Sequence, residues 1–423
     1  MKRGNEKREY HFDTRVIHEG GIGKSWQGST LPPIFQSAGN IHETAENLSD
    51  TFAGKRSDHI YMRLSNPTNT CLEEKLASLE SGKKAIVMSS GMAAISNGCM
   101  ALLREGDEFV SSKSLFMSTY LLFTNIFKKY GITVRLVDIH DNEELKSAIN
   151  EKSRFVYLET IGNPGMDVPD VDRIAQTAHQ HGLPLLIDNT LASPWLFRPI
   201  EHGADVVIHS TTKYFGGHGA ALGGVIIDAG NFDWNSEKFK DFKPFVDRKG
   251  ELAYLDRVWR EHHINFGTTQ APFHSYLTML GLDTLSLRME RHMSNSIEVA
   301  RFLKAHPKVS WVNFPGLEDH QCHKTAKRLF GGKGFGSMLT FGLKDEKSCF
   351  KFIDNLELIH NIANLGDCKT LIIHPWSTQF VSFEESVKKK LGIAPEMMRL
   401  SVGIEACQDI CTDISLALEK IEW

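Results

Sequence analysis

The chain alternates short apolar runs with longer stretches in which apolar residues recur every three or four positions. From about residue 70 to 230 this alternation is regular. Lys84–Met88, Glu108–Val110, Thr133–Ile139, Phe155–Leu158, Pro184–Ile187, Ala204–Ile208 and Gly224–Asp228 read as strands, apolar and largely β-branched. Between them, Cys71–Leu79, Met92–Leu103, Thr119–Lys129, Asn142–Asn150 and Val171–His181 read as helices. In the last of these, Val171, Ile174, Ala175 and Ala178 fall on one face. Strands apolar on both faces, separated by helices, predict an α/β fold. The sheet is expected to be mostly parallel, covered by helices on both faces and joined by right-handed crossovers.

The flanks are less regular. Residues 1–70 show little periodicity and several turn signals, at Gly20-Gly21, Leu31-Pro32-Pro33 and Ser65-Asn66-Pro67-Thr68. Such a segment is either a flexible tail or an arm packed on a neighbouring subunit. Residues 231–260 are charged and aromatic and read as a surface insertion. A helical stretch over Phe273–Ala305 then leads to a smaller α+β domain. It carries strands near Val309–Val312 and Ser337–Phe341, with helices near Cys349–Leu356 and Ile410–Lys420. The expected organisation is an arm (1–70), a large domain (71–265) and a small domain (266–423).

Composition narrows the class. With 423 residues, 41% hydrophobic and 24% charged, the chain can bury two sizeable cores. A net charge of −4 offers no electrostatic footprint for nucleic acid or an anionic membrane. No apolar run approaches the roughly 18 residues of a membrane span. The polar first 15 residues have no signal-peptide core. The seven cysteines are scattered without paired spacing, which predicts reduced thiols and a cytoplasmic protein.

Two polar strand ends stand out against this background. Leu186-Ile187-Asp188-Asn189 and His209-Ser210-Thr211-Thr212-Lys213-Tyr214 each follow an apolar run, at the sheet edge where open α/β folds hold ligands. Taken singly, Lys213 is a strand-end lysine reaching solvent and Asp188 a turn aspartate. Taken together, they predict a pyridoxal phosphate (PLP) site. Lys213 would form the Schiff base, and Asp188 would pair with the pyridine nitrogen. Ser210 and Thr212 offer hydroxyls to phosphate oxygens, and Gly216-Gly217 leave room for a ligand to approach. Ser90-Gly91-Met92 opens a helix whose first N–H groups suit a phosphate. The glycine-rich Gly331–Gly336 fits neither a dinucleotide fingerprint nor a P-loop and reads as a loop. His320, Cys322 and His323 have no second cluster to complete a metal site and read as surface loop.

These residues resemble the Cys/Met-metabolism family of PLP enzymes, of fold type I, over nearly the whole chain. The resemblance rests on Tyr61-Met62-Arg63-Leu64-Ser65-Asn66-Pro67-Thr68, Ser90-Gly91-Met92-Ala93-Ala94-Ile95, Glu159-Thr160 with Asn163-Pro164, and Asp188-Asn189-Thr190. It continues through Ser210–Tyr214 with Gly217-His218, and Arg399-Leu400-Ser401-Val402-Gly403-Ile404-Glu405. It implies that Lys213 binds PLP and shuttles protons, and that Asp188 holds the pyridinium. It further implies that Asn163 contacts the phenolic oxygen, that Phe116 stacks on the ring, and that Ser90, Gly91, Met92, Ser210 and Thr212 surround the phosphate. Tyr61 and Arg63 would reach the phosphate of a neighbouring subunit, giving a homo-oligomer built from active dimers. Arg399, assisted by Asn364, would clamp the substrate α-carboxylate.

Within the family the chain is most similar to the O-acetylhomoserine sulfhydrylases. That likeness is carried by Asn231-Phe232-Asp233-Trp234, Leu280–His292, Lys333-Gly334-Phe335-Gly336 and Ala363-Asn364-Leu365-Gly366-Asp367. The implied reaction replaces the acetate on Cγ of a small amino-acid substrate by sulfide or methanethiol. The rival readings are a γ-lyase of the methionine or cystathionine type and a family member without catalysis. Three departures bear on the choice. Phe116 replaces a ring-stacking tyrosine, Ser118 stands where methionine γ-lyases carry cysteine, and His374-Pro375-Trp376-Ser377-Thr378-Gln379-Phe380 replaces a family run of smaller residues ending in Thr-Thr-His. Phe116 suits an ester, since acetate leaves with little help from an acid. Trp376 is expected to narrow the substrate pocket.

Overall fold

Apolar alternation along seven strands dictates a sheet with two buried faces, and the computed structural model shows one. It describes residues 10–20 and 28–422; residues 1–9, 21–27 and 423, with them most of the polar N-terminal segment and Gly21, lie outside the described residues. The strands are β1 (Lys84–Met88), β2 (Glu108–Ser112), β3 (Thr133–Val137), β4 (Ser153–Glu159), β5 (Leu185–Asp188), β6 (Val206–His209) and β7 (Gly224–Asp228). Their order is β1-β7-β6-β5-β4-β2-β3. Pairing is parallel from β6 through β3, while β7 runs antiparallel to both its neighbours. Val156, Leu158, Leu185, Ile187, Val207 and Ile227 face one core. Phe155, Tyr157, Leu186, Val206, Ile208 and Ile226 face the other. The period of two along each strand assigns the two sets.

The second face is closed in part by residues 232–258, which corrects their reading as a surface insertion. Trp234, Phe239, Phe242, Tyr254, Leu255 and Val258 are all buried there. Trp234 stacks on Phe242 (centroids 4.8 Å apart) and on Tyr254 (5.3 Å). The charges that gave the segment its surface character cap the rim of this aromatic cluster. The Arg257 guanidinium lies 4.5 Å over the Phe242 ring and pairs with Asp241. Arg154 does the same over Phe239, again with Asp241 as its anion. The helix expected from Thr119 starts at Met117 and widens to a π turn over Leu122–Ile126. That turn brings Phe123 to 4.8 Å from Phe109.

The long helical stretch is two helices, Pro272–Leu282 and Leu285–Ala305, parted at Asp283-Thr284. The second helix belongs to two cores. Leu285, Met289 and Met293 enter the large core, and Val299, Ala300 and Leu303 enter that of a second sheet. This second sheet joins β8 (Trp311–Asn313), β9 (Met338–Gly342), β10 (His360–Asn361), β11 (Leu371–Ile373) and β12 (Met397–Ser401) in the order β10-β11-β12-β9-β8. Only β8 and β9 were expected. β10 and β11 are only two and three residues long, and β12 carries a polar residue at each of Arg399 and Ser401 that masks its periodicity. His320 and His323 bond to Asn313 and Pro315 within their turn, whereas Cys322 is buried rather than on the surface.

The described part of the N-terminal 70 residues is anchored on its own chain. Val16 is buried, and the Arg15 guanidinium donates to the Ser78 carbonyl. The Thr68 hydroxyl receives Phe35 N–H at 2.9 Å. Among the described residues no helix is long and apolar enough to cross a membrane. Truncating Trp234 to alanine removes the centre of the aromatic cluster, with an expected cost of about 3–5 kcal/mol. Urea denaturation checks this, and a loss below about 1 kcal/mol, typical of surface substitutions, would place the segment outside the core.

Candidate functional site

The carboxyl ends of the parallel strands open into one cavity of about 230 Å³. Its walls bring together Ser90, Gly91, Met92, Phe116, Asn163, Asp188, Ser210, Thr212, Lys213, Asn364 and Arg399, which are scattered over more than 300 positions of sequence. Tyr61 and Arg63 are not among the lining residues. Tyr61 is 46% exposed, and the Arg63 guanidinium donates to the Ile264 carbonyl beside the Tyr61 ring. Ser118 and Trp376 also lie outside the cavity, which corrects the expectation that Trp376 narrows it. Trp376 packs with Phe380, Ile393 and Met397, and the Lys388 ammonium sits 4.4 Å over its ring.

Each polar group is held by a nearby chain turn. Lys213 lies four residues past the end of β6, in a turn closed by Lys213 N–H to Ser210 O and Gly217 N–H to Lys213 O. Its neighbour Tyr214 is fully buried, bonded to Ser337 Oγ at 2.6 Å, with its carbonyl receiving Arg288 Nη1 at 2.7 Å. Gly217 leaves room for that guanidinium rather than for a ligand: a Cβ there would lie 2.3 Å from Arg288 Nη1. The Lys213 ammonium donates to Asn364 Oδ1 at 2.5 Å. Burial, and secondarily the charge of Arg399, lowers the Lys213 pKa to about 8.

Asp188 ends β5 beside Glu159, the last residue of β4 and its register partner. Asp188 accepts Thr190 N–H at 2.9 Å, and burial raises its pKa. A carboxylate so placed is stabilised by a cationic ring nitrogen. Glu159, in the sequence one residue of the Glu159-Thr160 motif with no role of its own, organises two walls. Its carboxylate receives the Phe116 N–H at 2.6 Å and the Asn163 N–H at 3.2 Å. Burial first, and then the Asp188 charge, raises its pKa strongly. A carboxylate at the end of an apolar strand was the available signal.

At the opposite end of the cavity, Ser90 caps the helix Gly91–Met100 by accepting Ala93 N–H. A Cβ on Gly91 would lie 2.7 Å from Ser210 Cβ, so glycine lets the helix start meet the β6 turn. The first N–H groups of the helix and the Ser210 and Thr212 side chains thus converge, as an anionic phosphate requires. Thr212 also brackets the wall, with its Oγ1 receiving Gly223 N–H at 3.1 Å.

Arg399, in β12, is 2% exposed and faces no carboxylate among its bonded partners. Nη1 donates to Asn163 Oδ1 (3.3 Å) and Gln379 Oε1 (3.2 Å), and Nη2 donates to the Asn364 carbonyl (3.1 Å). Nε is buried without a partner. Burial lowers even this guanidinium, to about 10. A buried cation held by neutral acceptors is a receptor for an anion.

The chain that builds this cavity matches a known sequence family, described as Cys/Met metabolism PLP-dependent enzyme, over residues 13–419. The chain belongs to that family. Its cofactor is pyridoxal 5′-phosphate, an electron sink for carbanions next to an amino group, and the cavity's charge pattern fits it. Among similar proteins, the homocysteine/cysteine synthase of Saccharomyces cerevisiae is 39% identical over 97% of this chain and 98% of its own. The O-acetyl-L-homoserine sulfhydrylase of Corynebacterium glutamicum is 40% identical over 96% of each. The solved structure of a candidate O-acetylhomoserine (thiol)-lyase from Campylobacter jejuni superposes with a TM-score of 0.94. It is 32% identical, covers 97% of this chain and 100% of its own, and carries a pyridoxyl-lysine phosphate. The fold is fold type I of the PLP enzymes.

In protein stripped of its cofactor, the lowered Lys213 pKa has a direct readout. A pKa about 8 means the neutral, aldehyde-reactive amine dominates above that pH, where an ordinary lysine stays charged to about 10.4. Modification of Lys213 by a simple aldehyde, trapped by reduction and mapped by mass spectrometry, should level off near this value. A midpoint above about 10, the ordinary lysine value, would refute it.

Proposed function

We propose that this protein replaces the acetate of O-acetyl-L-homoserine by sulfide, releasing homocysteine and acetate. The observation that carries the reading is the identity of the proton donors in the cavity. Among the described residues of one chain, no tyrosine, histidine or cysteine lines it, Phe116 occupies the stacking position without a hydroxyl, and Tyr61, contributed across an interface, is assigned to the phosphate. A leaving group expelled there departs without a dedicated acid beyond Lys213. Acetate does so readily because acetic acid is a far stronger acid than a thiol or an ammonium ion, whereas a thiolate or an amine needs a proton. The names of the relatives point to the same ester and to sulfide chemistry.

The roles follow from position. Lys213 binds the cofactor and carries protons from the substrate Cα, its pKa being low enough to give and take them near neutrality. Asp188 keeps the ring nitrogen protonated, while Asn163 and Phe116 fix the ring's edge and face. Ser90, Gly91, Met92, Ser210 and Thr212 hold the phosphate. Arg399 takes the substrate carboxylate in a two-point contact, with Asn364 linking it to Lys213.

The chain divides into an arm (1–70), a large domain (71–265) and a small domain (266–423), and it works in the cytoplasm as a homo-oligomer. Tyr61 and Arg63 lie on the surface of their own chain and complete the phosphate site of a partner subunit.

Incubation with O-acetylhomoserine and sulfide should yield homocysteine, and methionine alone should yield no keto acid. Keto acid from methionine at a comparable rate would make the protein a γ-lyase instead. Mixing inactive Arg63→Ala and Lys213→Ala chains should restore activity, since hybrid dimers contain one intact site. No recovery in a verified hybrid would refute the role of Arg63 across the interface.

A further inference from the structure

The buried guanidinium of Arg399 has a side-chain partner in Gln379, which lines the cavity with its amide turned to Arg399. Its Oε1 accepts Arg399 Nη1 at 3.2 Å, sharing that nitrogen with Asn163 Oδ1. A threonine in its place would reach two heavy atoms less far and offer a hydroxyl instead of a planar amide. Phe380, the next residue, is 2% exposed and packs with Ile393 and Met397, so the backbone carrying Gln379 is anchored from behind. His374 fixes the other end of the same turn, bonding Ser377 Oγ at 2.7 Å and the Pro395 carbonyl at 2.7 Å.

A planar amide on such a turn can do what a carboxylate would, without the charge. Its oxygen satisfies one guanidinium N–H before substrate arrives, reducing the cost of a buried cation with no counter-ion. Its Nε2 amino group is a donor with no partner among the described residues. The Arg399 Nε donor is likewise unpaired. Both nitrogens are suited to an incoming anion, and a glutamate in place of Gln379 would neutralise the guanidinium and compete for it.

We propose that Gln379 is a positioning residue for the substrate α-carboxylate: its amide oxygen aims the Arg399 fork and its amide N–H₂ donates to the same carboxylate. The inference rests on the assignment of Arg399 as carboxylate receptor, but not on which group leaves Cγ.

The test therefore uses ligands without a leaving group. Holoenzyme is titrated with L-norleucine and with n-pentylamine, which is norleucine without its carboxylate, following the cofactor absorbance. Gln379→Leu keeps the bulk and removes the amide, and norleucine affinity should fall about tenfold, as for loss of a hydrogen bond to a charged group. Gln379→Glu should weaken norleucine at least as much. Pentylamine affinity should be unchanged in the Leu variant, and KM for the amino-acid substrate should rise with kcat little altered. If Gln379→Leu binds norleucine as tightly as the parent, or loses pentylamine to the same degree, the proposal is overturned. Should either variant fold poorly, Gln379→Thr supplies the same comparison, with weakened norleucine binding supporting the proposal and unchanged binding refuting it. A failure of O-acetylhomoserine turnover leaves the norleucine measurement intact, so the two readings fail separately.

Discussion

The site depends on positive charge buried against neutral acceptors. Lys213 meets the Asn364 amide, and Arg399 meets two side-chain amides and a backbone carbonyl. Neither is neutralised by an adjacent carboxylate, although Asp188 and Glu159 line the same cavity. Neutral acceptors reduce the cost of desolvating a cation without cancelling its field. The lysine consequently gives up its proton more easily, and the arginine stays available for an anion. Two carboxylates placed against these cations would make a stable cluster of ion pairs and a poor receptor.

The rest of the fold holds that arrangement in register. Asn364, Gln379 and Arg399 come from the small-sheet half of the chain, and Lys213, Asp188 and Phe116 from the large sheet. The two halves are locked close to the lysine. Cys368 N–H bonds the Gly217 carbonyl at 2.8 Å, and Arg288 reaches from the shared long helix to the Tyr214 carbonyl. Gly366 sits at φ 68°, and a Cβ there would lie 3.0 Å from Tyr214 N, so the loop can rest on the lysine turn only as glycine. The small sheet thus acts as one wall of the cavity, and its position sets where a carboxylate can bind.

Glu159 performs the matching task within the large domain. One carboxylate collects the backbone of Phe116 and of Asn163, so the residues proposed to meet the ring's face and edge are held to one anchor. Burying that carboxylate beside Asp188 is costly unless both are paired. Glu159 finds its partners in backbone N–H groups, and Asp188, bonded to the Thr190 N–H, would find its own in the ring cation proposed for it.

The sequence by itself determined the order of strands and helices in the large domain, since its central strands are apolar on both faces and the segments between them follow a helical period. It also marked Lys213, Asp188 and the Ser90-Gly91 helix start as candidates, because strand ends and helix starts have fixed positions in a parallel sheet, and the fold brings all of them to one cavity. Tertiary structure alone decided what stands across from what. Residues 232–258 became core because their rings find one another and their charges find partners on the rim, which no local pattern encodes. Trp376 left the pocket and Gln379 entered it, although three positions apart in one motif, because a turn sends alternate side chains to opposite sides. Glu159 gained its role only when the 116 and 163 backbones converged on it. Local periodicity reports burial and element type; the pairing of distant polar groups is settled by the packing of whole elements, and in this protein those pairings set the charge of the site.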